Sequence, residues 1–271
     1  MTAASSTRSV PSSPPSYDTV QMDRDGATVI LTMDRPDHRN ALSPQLDADL
    51  RAAFEAVEEM EGVRAVVLHG AGESFCAGAD LNVLRDEPTP EEMYEHLTER
   101  YLPLIRSIME LPLPVVAAIE GTAAGAGMAL ALACDLRVMA DDAQIVPAFS
   151  SIGFVPDSGA SYFLARQVGY SRAFEILAES KPLAASRCEK LGLTNRVAPA
   201  GETLEATLTW AAELAERPTL ALGLTKQTLH HAADHDLEEV VRFEAQLQKE
   251  TIQSDDHAEG LAAFLEKRSP S

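Results

Sequence analysis

The sequence predicts an α/β fold followed by a region made of helices alone, and three observations support this. Short apolar runs at residues 65–68 and 115–119 are typical of buried strands. Stretches between them, such as residues 90–109, repeat apolar residues at helical spacing. Beyond Gly201 only helical patterns occur. A chain of 271 residues, 45% of them hydrophobic, can bury a large core as one α/β domain with an appendage.

The chain divides into three parts. Residues 1–16 are rich in Ser, Thr and Pro and nearly free of apolar residues, which predicts a disordered tail. Residues 17–200 carry the strands and the candidate site, and they form the predicted core. Residues 201–271 form the helical region, with helices predicted at 202–216, 218–232, 237–252 and 258–266.

The core opens with a predicted β-hairpin, residues 17–22 and 28–33, joined by the turn dipeptide Asp25-Gly26. Ser43 followed by Pro44 predicts the start of a helix that runs to about Met60. The further predicted elements are a strand at 64–69, a helix at 90–109, a strand at 115–119, a helix at 128–133, strands at 135–139 and 143–149, helices from 158 or 159 to 168 and from 172 to 177, and a last strand at 191–197.

The chain is organised around residues 114–160, where a strand is followed by the small-residue loop 121–127 and then by strong helix formers. With little side chain, this loop exposes its backbone N–H groups at the start of a helix, where negative charge is stabilised. A second loop, residues 69–81, also follows an apolar run and exposes its backbone through small residues. Two such loops can supply two convergent N–H donors to an oxyanion that develops on a carbonyl or thioester.

These residues resemble the crotonase superfamily of enoyl-CoA hydratases and isomerases. The resemblance extends over residues 17–268 and rests on FCAGADL at 75–81, PVVAAIEGTAAGAGMALALACDLRVMADDAQ at 114–144 and GLAAFLEKR at 260–268. It implies a spiral of repeated ββα units with a C-terminal α-helical trimerisation region, and therefore a homotrimer or homohexamer. It also implies an acyl-CoA thioester as the substrate, with coenzyme A as part of that substrate and no separate cofactor or metal.

The resemblance further implies which residues form the site. The backbone N–H groups of Ala79 and Ala126 form the oxyanion hole, and Asp157, in FVPDSGAS, is the candidate for proton transfer. The residues expected to contact the CoA thioester are Arg39, Asn40, Ala41, Ala77, Gly78, Asp80, Leu81, Gly125, Phe149, Phe264 and Lys267. Asp80 and Asp157 also have plain structural interpretations, as the cap of a turn and as a helix N-cap.

The expected reaction depends on the carboxylates. Family members that hydrate enoyl-CoA carry two glutamates at positions matched here by Ala129 and Phe149, and neither of these residues can transfer a proton. The segment around Asp157 resembles the ring-epoxide and Δ3,Δ2-enoyl-CoA isomerases, so we expect an acyl-CoA isomerase that uses one aspartate as its proton shuttle.

Three other functions stay open at this point. One is an enoyl-CoA hydratase of fatty-acid or aromatic-acid degradation that lacks the glutamate pair, and another is a non-catalytic CoA-thioester binding protein. The third resembles the 4-chlorobenzoyl-CoA dehalogenases, in which an aspartate at this place is a nucleophile. That branch has a tryptophan beside the ring, at a position matched here by Phe149, and this difference disfavours it.

The composition limits the partners. A formal net charge of −20 disfavours nucleic acid and anionic membrane surfaces. An anionic CoA ester then needs local cations, for which His38, Arg39 and Lys267 are the candidates. The three cysteines lie far apart without paired spacing, which predicts neither disulfides nor a zinc site and favours a reducing compartment. The start of the chain lacks the apolar core of a signal peptide, so we expect a cytoplasmic protein.

Overall fold

The computed structural model describes residues 16–84 and 88–270. The tail predicted over residues 1–16 lies outside the described residues, except for Ser16. The strands are β1 (Val20–Asp25), β2 (Thr28–Met33), β3 (Ala65–Gly70), β4 (Val115–Ile119), β5 (Thr122–Ala124), β6 (Leu136–Ala140), β7 (Gln144–Val146), β8 (Leu183–Ala184) and β9 (Arg196–Ala198). The α-helices are α1 (Pro44–Glu59), α2 (Pro90–His96), α3 (Leu102–Glu110), α4 (Ala126–Ala133), α5 (Ala160–Val168), α6 (Tyr170–Glu179), α7 (Ala185–Leu191), α8 (Thr203–Ala215), α9 (Thr219–Ala232), α10 (Leu237–Thr251) and α11 (Asp255–Glu266).

Two sheets are built from alternating strands of the chain. The larger sheet has the order β1-β2-β3-β4-β6-β9, in which β1 and β2 form an antiparallel hairpin and every other pair is parallel. The smaller sheet has the order β5-β7-β8. Because β4 and β6 enter the larger sheet while β5 and β7 enter the smaller one, the chain adds one strand to each sheet in turn. This confirms the mixed α/β fold with repeated ββα turns.

The middle of the larger sheet is covered on both faces, which explains why β3 and β4 are almost continuous buried apolar runs, whereas the edge strand β1 is largely exposed. One face packs against the long core that includes Leu50 and Phe54 of α1. On the other face, Val67 of β3 and Ala118 of β4 pack against Ala211 of α8. Burial of each large side chain in this core contributes about 1.5–3 kcal/mol to folding.

The start of α1 follows the prediction closely. Ser43 is the N-cap, its hydroxyl accepts a hydrogen bond from Leu46 N at 3.1 Å, and Pro44 occupies the first helical turn. The predicted hairpin is also present, with Asp25 and Gly26 at its turn.

Several predicted elements were wrong in detail, among them the strands predicted at 17–22 and 143–149, which cover Val20–Asp25 and Gln144–Val146. The helix predicted at 128–133 begins two residues earlier, at Ala126, so Ala126 and Gly127 belong to α4. The strand predicted at 191–197 is shorter, because α7 extends to Leu191 and ends where Gly192 adopts a positive φ of 74°. The helix predicted at 90–109 is divided into α2, a π-helical segment at Leu97–Tyr101 and α3.

The C-terminal region consists of α8 to α11, as predicted. Lys226 of α9 fixes this region to the core, since its Nζ lies 2.8 Å from both Asp135 Oδ2 and the carbonyl oxygen of Ile108. In α11, Leu261, Phe264 and Leu265 leave half or more of their surface exposed. Over residues 16–84 and 88–270, every helix is too short or too polar to cross a lipid bilayer.

Candidate active site

The two small-residue loops lie side by side in the structure. Phe75 N donates to Glu120 O (2.9 Å), Cys76 N donates to Thr122 O (3.1 Å), and Ala124 N donates back to Cys76 O (2.9 Å). These bonds extend the smaller sheet by a parallel bridge. The segment that follows β3 is therefore held against the segment that precedes α4.

A second pairing holds the other edge of the first loop. Leu42 N donates to Gly78 O at 2.7 Å, and Asp80 N donates to Leu42 O at 3.2 Å. The N–H of Ala79 lies between these bonds, and within the described part of the chain it donates to no backbone acceptor. The loop is thus rigidly held by its neighbours while one of its donors stays available for a ligand.

Ala126 offers the second donor. It is the first residue of α4, and the first hydrogen bond of that helix runs from Ala129 N to Gly125 O, so the N–H of Ala126 lies outside the helical ladder. Gly125 has φ 50° and ψ −119°, a conformation that glycine adopts readily and residues with a side chain rarely adopt. The N–H of Gly125 donates to Val146 O at 2.9 Å, and this bond anchors the turn.

Gly78 lets the two donors approach each other. A Cβ atom at this position would lie 2.6 Å from Ala124 O and 3.4 Å from Ala126 N, and the φ of 94° also favours glycine. The absence of a side chain therefore places the backbone beside Ala79 directly against the start of α4. Two such N–H groups, one of them at a helix N-terminus, can stabilise a developing oxyanion.

A cavity of about 870 Å³ opens in front of these donors. Ten of the fourteen predicted site residues line it: Ala41, Ala77, Gly78, Ala79, Asp80, Leu81, Gly125, Ala126, Phe149 and Asp157. Its volume suits a ligand of the size of an acyl group with part of its carrier.

Asp157 is a half-buried carboxylate on the wall of this cavity. Burial raises the pKa of its side chain, and the hydrogen bond that Ser158 Oγ donates at 2.8 Å acts in the opposite direction. The interpretation of Asp157 as a helix N-cap is wrong, because α5 has Gly159 as its N-cap and no side chain caps it. The carboxylate is therefore left free to act on a ligand.

The turn that orients Asp157 contains two left-handed residues. Ser158 has φ 53° and Gly159 has φ 84°, and Ala160 N donates to the backbone carbonyl of Asp157 at 2.8 Å. A positive φ is unfavourable for serine, and such strain often accompanies functional sites.

Comparison with known proteins decides the family. The family model described as enoyl-CoA hydratase/isomerase matches residues 23–271. The chain belongs to the enoyl-CoA hydratase/isomerase family. A probable enoyl-CoA hydratase of Rhodobacter capsulatus is 37% identical over 94% of this chain and 98% of its own length. The 1,2-epoxyphenylacetyl-CoA isomerase of Escherichia coli is also 37% identical, over 89% of this chain and 92% of its own.

Solved structures agree with this assignment. An enoyl-CoA hydratase from Polaromonas sp. JS666 has a TM-score of 0.88 and 38% identity, and the match covers 93% of this chain and 98% of that one. A putative enoyl-CoA hydratase from Streptomyces coelicolor has a TM-score of 0.90 and 32% identity, with 98% of both chains covered. These likenesses confirm the crotonase fold expected from the motifs.

Within this family, the positions matched to the hydratase glutamates hold apolar residues. Ala129 is fully buried inside α4, and Phe149 is 5% exposed and lines the cavity. Neither side chain can exchange a proton. Among the described residues, Asp157 and Asp80 are the aspartates that line the cavity, and they differ in their surroundings.

Asp80 is occupied by structural contacts. Its Oδ2 lies 3.1 Å from Arg35 Nη2, and its Oδ1 accepts hydrogen bonds from the backbone and side-chain nitrogens of Asn82 at 3.1 and 2.9 Å. Burial alone would raise the pKa of this carboxyl, but these bonds together hold it below its usual value. Asp80 therefore stays ionised and caps a turn, in agreement with its plain structural interpretation.

Four predicted contact residues lie outside the cavity lining: Arg39, Asn40, Phe264 and Lys267. The prediction that the Asn40 side chain contacts the ligand is wrong for this chain, because it is fully buried and donates to Ala71 O (2.9 Å) and Ser74 O (2.8 Å). Arg39 bends the chain with φ 48°, and its carbonyl accepts from Ala77 N at 2.9 Å. Phe264 and Lys267 lie at the end of α11.

The wall of the cavity formed by α2 and the π-helical segment, here called the helical wall, supplies residues that the sequence analysis did not assign to the site. Tyr101, His96 and Arg100 line the cavity, together with Glu92, Glu95 and Glu99. Burial lowers the pKa of His96, and the charge of Arg100 lowers it further, so this ring is neutral at pH 7.

The helical spacing of Leu97, Tyr101 and Leu104 is the sequence signal that could have placed Tyr101 on the inner face of this wall. His38, one of the predicted cations, lines the cavity, and Arg100 adds a second.

The described side chains do not form a candidate metal site. Across residues 16–84 and 88–270, no cluster of three or more His, Cys, Asp or Glu side chains could hold an ion. The absence of any separate cofactor stays a prediction from the resemblance.

Proposed function

We propose that this family member is an acyl-CoA isomerase in which Asp157 is the proton shuttle and the N–H groups of Ala79 and Ala126 hold the thioester oxygen. The observation that carries the proposal is the state of Asp157: a half-buried carboxylate that lines the same cavity as the oxyanion loops and caps no helix. Its raised pKa brings proton exchange closer to neutral pH.

The proposed reaction moves one double bond. The Asp157 carboxylate removes a proton from the α-carbon of a 3-enoyl thioester, and the electron pair of that C–H bond is delocalised onto the thioester oxygen. The N–H groups of Ala79 and Ala126 stabilise the negative charge on this oxygen. The carboxyl group then returns the proton to the γ-carbon, and the double bond lies between the α- and β-carbons. No atom is gained or lost.

Hydration of an enoyl-CoA is the second candidate, because most of the similar proteins named above are called hydratases. Addition of water needs one group to activate the water and one to deliver a proton. In this candidate Asp157 performs both steps, since the resemblance matches Ala129 and Phe149 to the glutamate pair of the hydratases. We therefore expect hydration to be slower than isomerisation.

Mass spectrometry separates the two candidates. The purified protein is incubated with 3-enoyl-CoA, 2-enoyl-CoA and epoxyphenylacetyl-CoA thioesters, and each product is weighed and separated by chromatography. We expect a product of unchanged mass from an isomerised thioester. A product heavier by one water would favour the hydratase, and recovery of every thioester unchanged would contradict both.

We also propose that the protein is a homotrimer or a pair of trimers. The apolar side chains of α11, with Phe264 80% and Leu265 71% exposed, support an assembly that covers them. Phe264 and Lys267 then contact the CoA ester of a neighbouring subunit. We expect light scattering at micromolar concentration to give the mass of a trimer or hexamer, and replacement of Phe264 by Glu to lower that mass. A stable wild-type monomer would contradict the assembly and these contacts.

The cytoplasmic location stays a prediction from the sequence. It rests on the three cysteines, which lie far apart without paired spacing.

A further inference from the structure

Tyr101 has a hydroxyl group without a hydrogen-bond partner in the described part of the chain. The residue is 3% exposed and lines the cavity that contains Asp157. Its hydroxyl oxygen is buried and makes no hydrogen bond to any group within residues 16–84 and 88–270. A phenylalanine would fill the same space without this penalty, so an unpaired buried hydroxyl calls for a functional explanation.

The backbone that carries Tyr101 is itself irregular. Residues Leu97–Tyr101 form a π-helical segment, in which Leu102 N donates to Leu97 O. Pro103 explains the irregularity, because its ring would collide with the carbonyl four residues earlier in a regular α-helix. Such segments are frequent at functional sites. The ring of Tyr101 also meets the ring of His96 edge to face, with centroids 4.6 Å apart, which fixes its orientation.

The described carboxylates near Tyr101 bond other groups through at least one oxygen, and none of them accepts a hydrogen bond from the Tyr101 hydroxyl. Asp157 accepts from Ser158, Asp80 pairs with Arg35, and Asp47 pairs with Arg51 at 3.2 Å. Burial raises the pKa of Tyr101, and the charges of Asp157, Cys76, Asp47 and Asp80 raise it further, with Asp157 first among the charges. The phenol is therefore protonated at every physiological pH and can donate a hydrogen bond to a neighbouring carboxylate or to a neutral oxygen.

We propose that Tyr101 determines substrate specificity by donating a hydrogen bond to an oxygen atom on the acyl group, beyond the α-carbon. The substrate class is then an acyl-CoA whose acyl portion carries a hydroxyl, epoxide or carbonyl oxygen. The thioester oxygen is held by the loops of Ala79 and Ala126, whereas Tyr101 belongs to the helical wall, so its partner lies farther along the acyl group. This inference rests on the proposed acyl-CoA ligand.

Matched ligand pairs test the inference without requiring turnover. The affinities of phenylacetyl-CoA with and without a ring epoxide, and of 2-enoyl-CoA esters with and without a hydroxyl on the chain, are measured by calorimetry. The three proteins are the wild type, Tyr101→Phe and the control Tyr94→Phe, whose side chain is 69% exposed on the same helical wall.

We expect wild type to bind at least one oxygenated ester about ten-fold or more tightly than its counterpart, because a site built to bond an oxygen rejects analogues that lack it. In Tyr101→Phe this ratio should fall to within about two-fold, mostly through weaker binding of the oxygenated ester. Tyr94→Phe should retain the wild-type ratio. A wild type with no preference for any oxygenated ester, or a ratio that Tyr101→Phe leaves unchanged, would overturn the inference.

Two further readouts distinguish a hydroxyl that binds the acyl group from one that supports the fold or acts through Asp157. We expect the melting temperature of Tyr101→Phe to equal or exceed that of wild type. A clear decrease would indicate that the hydroxyl bonds a structural water and supports the fold, and it would overturn the inference. An equal loss of turnover on both members of a pair, with a shifted pH profile, would indicate action through Asp157 and would also overturn it. Tyr101-dependent binding without isomerisation would contradict the proposed reaction alone.

Discussion

We expect Asp157→Asn to lower kcat for isomerisation by about two to four powers of ten. The amide keeps the shape of the side chain but cannot accept a proton from the α-carbon. Exchange of the α-proton for deuterium in deuterated buffer, measured by mass spectrometry, should be lost in parallel. Affinity for the CoA ester should change little, since the oxyanion donors are untouched. Exchange at the wild-type rate in this variant would remove Asp157 from the mechanism.

The pH dependence of the same reaction gives a second test of Asp157. Only the ionised carboxylate can take the proton, so kcat/KM should fall as the pH is lowered through the raised pKa of Asp157. Ser158→Ala is the matched control, because it keeps the carboxylate and removes the hydrogen bond that lowers this pKa. We expect this variant to turn over substrate, with the acidic limb of its kcat/KM profile moved to higher pH.

Stability should respond to Asp157 with a definite sign. A carboxyl whose pKa is raised by folding favours the folded state when it is protonated, and this contribution is lost as the pH rises through the folded pKa. Asp157→Asn should therefore melt no lower than wild type at neutral pH. A helix N-cap would also tolerate asparagine, which caps as well as aspartate, so the variant that tests capping is Asp157→Ala, which would cost a capped helix about 1 kcal/mol.

The parts of the fold that could be predicted are those with a local or periodic cause. Ser43 and Pro44 mark the start of α1 through capping chemistry, and the inner strands β3 and β4 are apolar runs because both faces of the sheet are covered there. The same reasoning located both oxyanion loops, since small residues between a strand and a helix leave the backbone exposed. Within these loops, Ala79 and Ala126 were expected from the family resemblance, and both line the cavity.

The errors concern features that depend on backbone angles and on long-range partners. The orientation of Asp157 is set by positive φ angles at Ser158 and Gly159, which no periodicity reveals. The π-helical segment arises from Pro103 inside a helical pattern that otherwise reads as continuous. Asn40 lies next to the ligand loop in the sequence, but its amide bonds Ala71 and Ser74, which is visible only in three dimensions.

Ala126→Pro has the second largest expected effect, because it deletes one of the two oxyanion donors. The position suits the test: Ala126 is the first residue of α4, where proline fits the helix and where the N–H makes no intrahelical bond. Gly125, which precedes it, has no Cβ to collide with the proline ring. We therefore expect a folded protein with nearly unchanged melting temperature and a kcat lower by about two to three powers of ten.

Ala126→Gly is the control for this prediction, since it keeps the N–H and adds no atom to the cavity. Its turnover should stay within about ten-fold of wild type, because only the flexibility of the first helical turn increases. The measurement is kcat for isomerisation in both variants, with thermal melting to confirm that each is folded. If the folded proline variant turns over substrate as fast as the glycine variant, the thioester oxygen is not held by Ala126 N, and the oxyanion assignment is wrong.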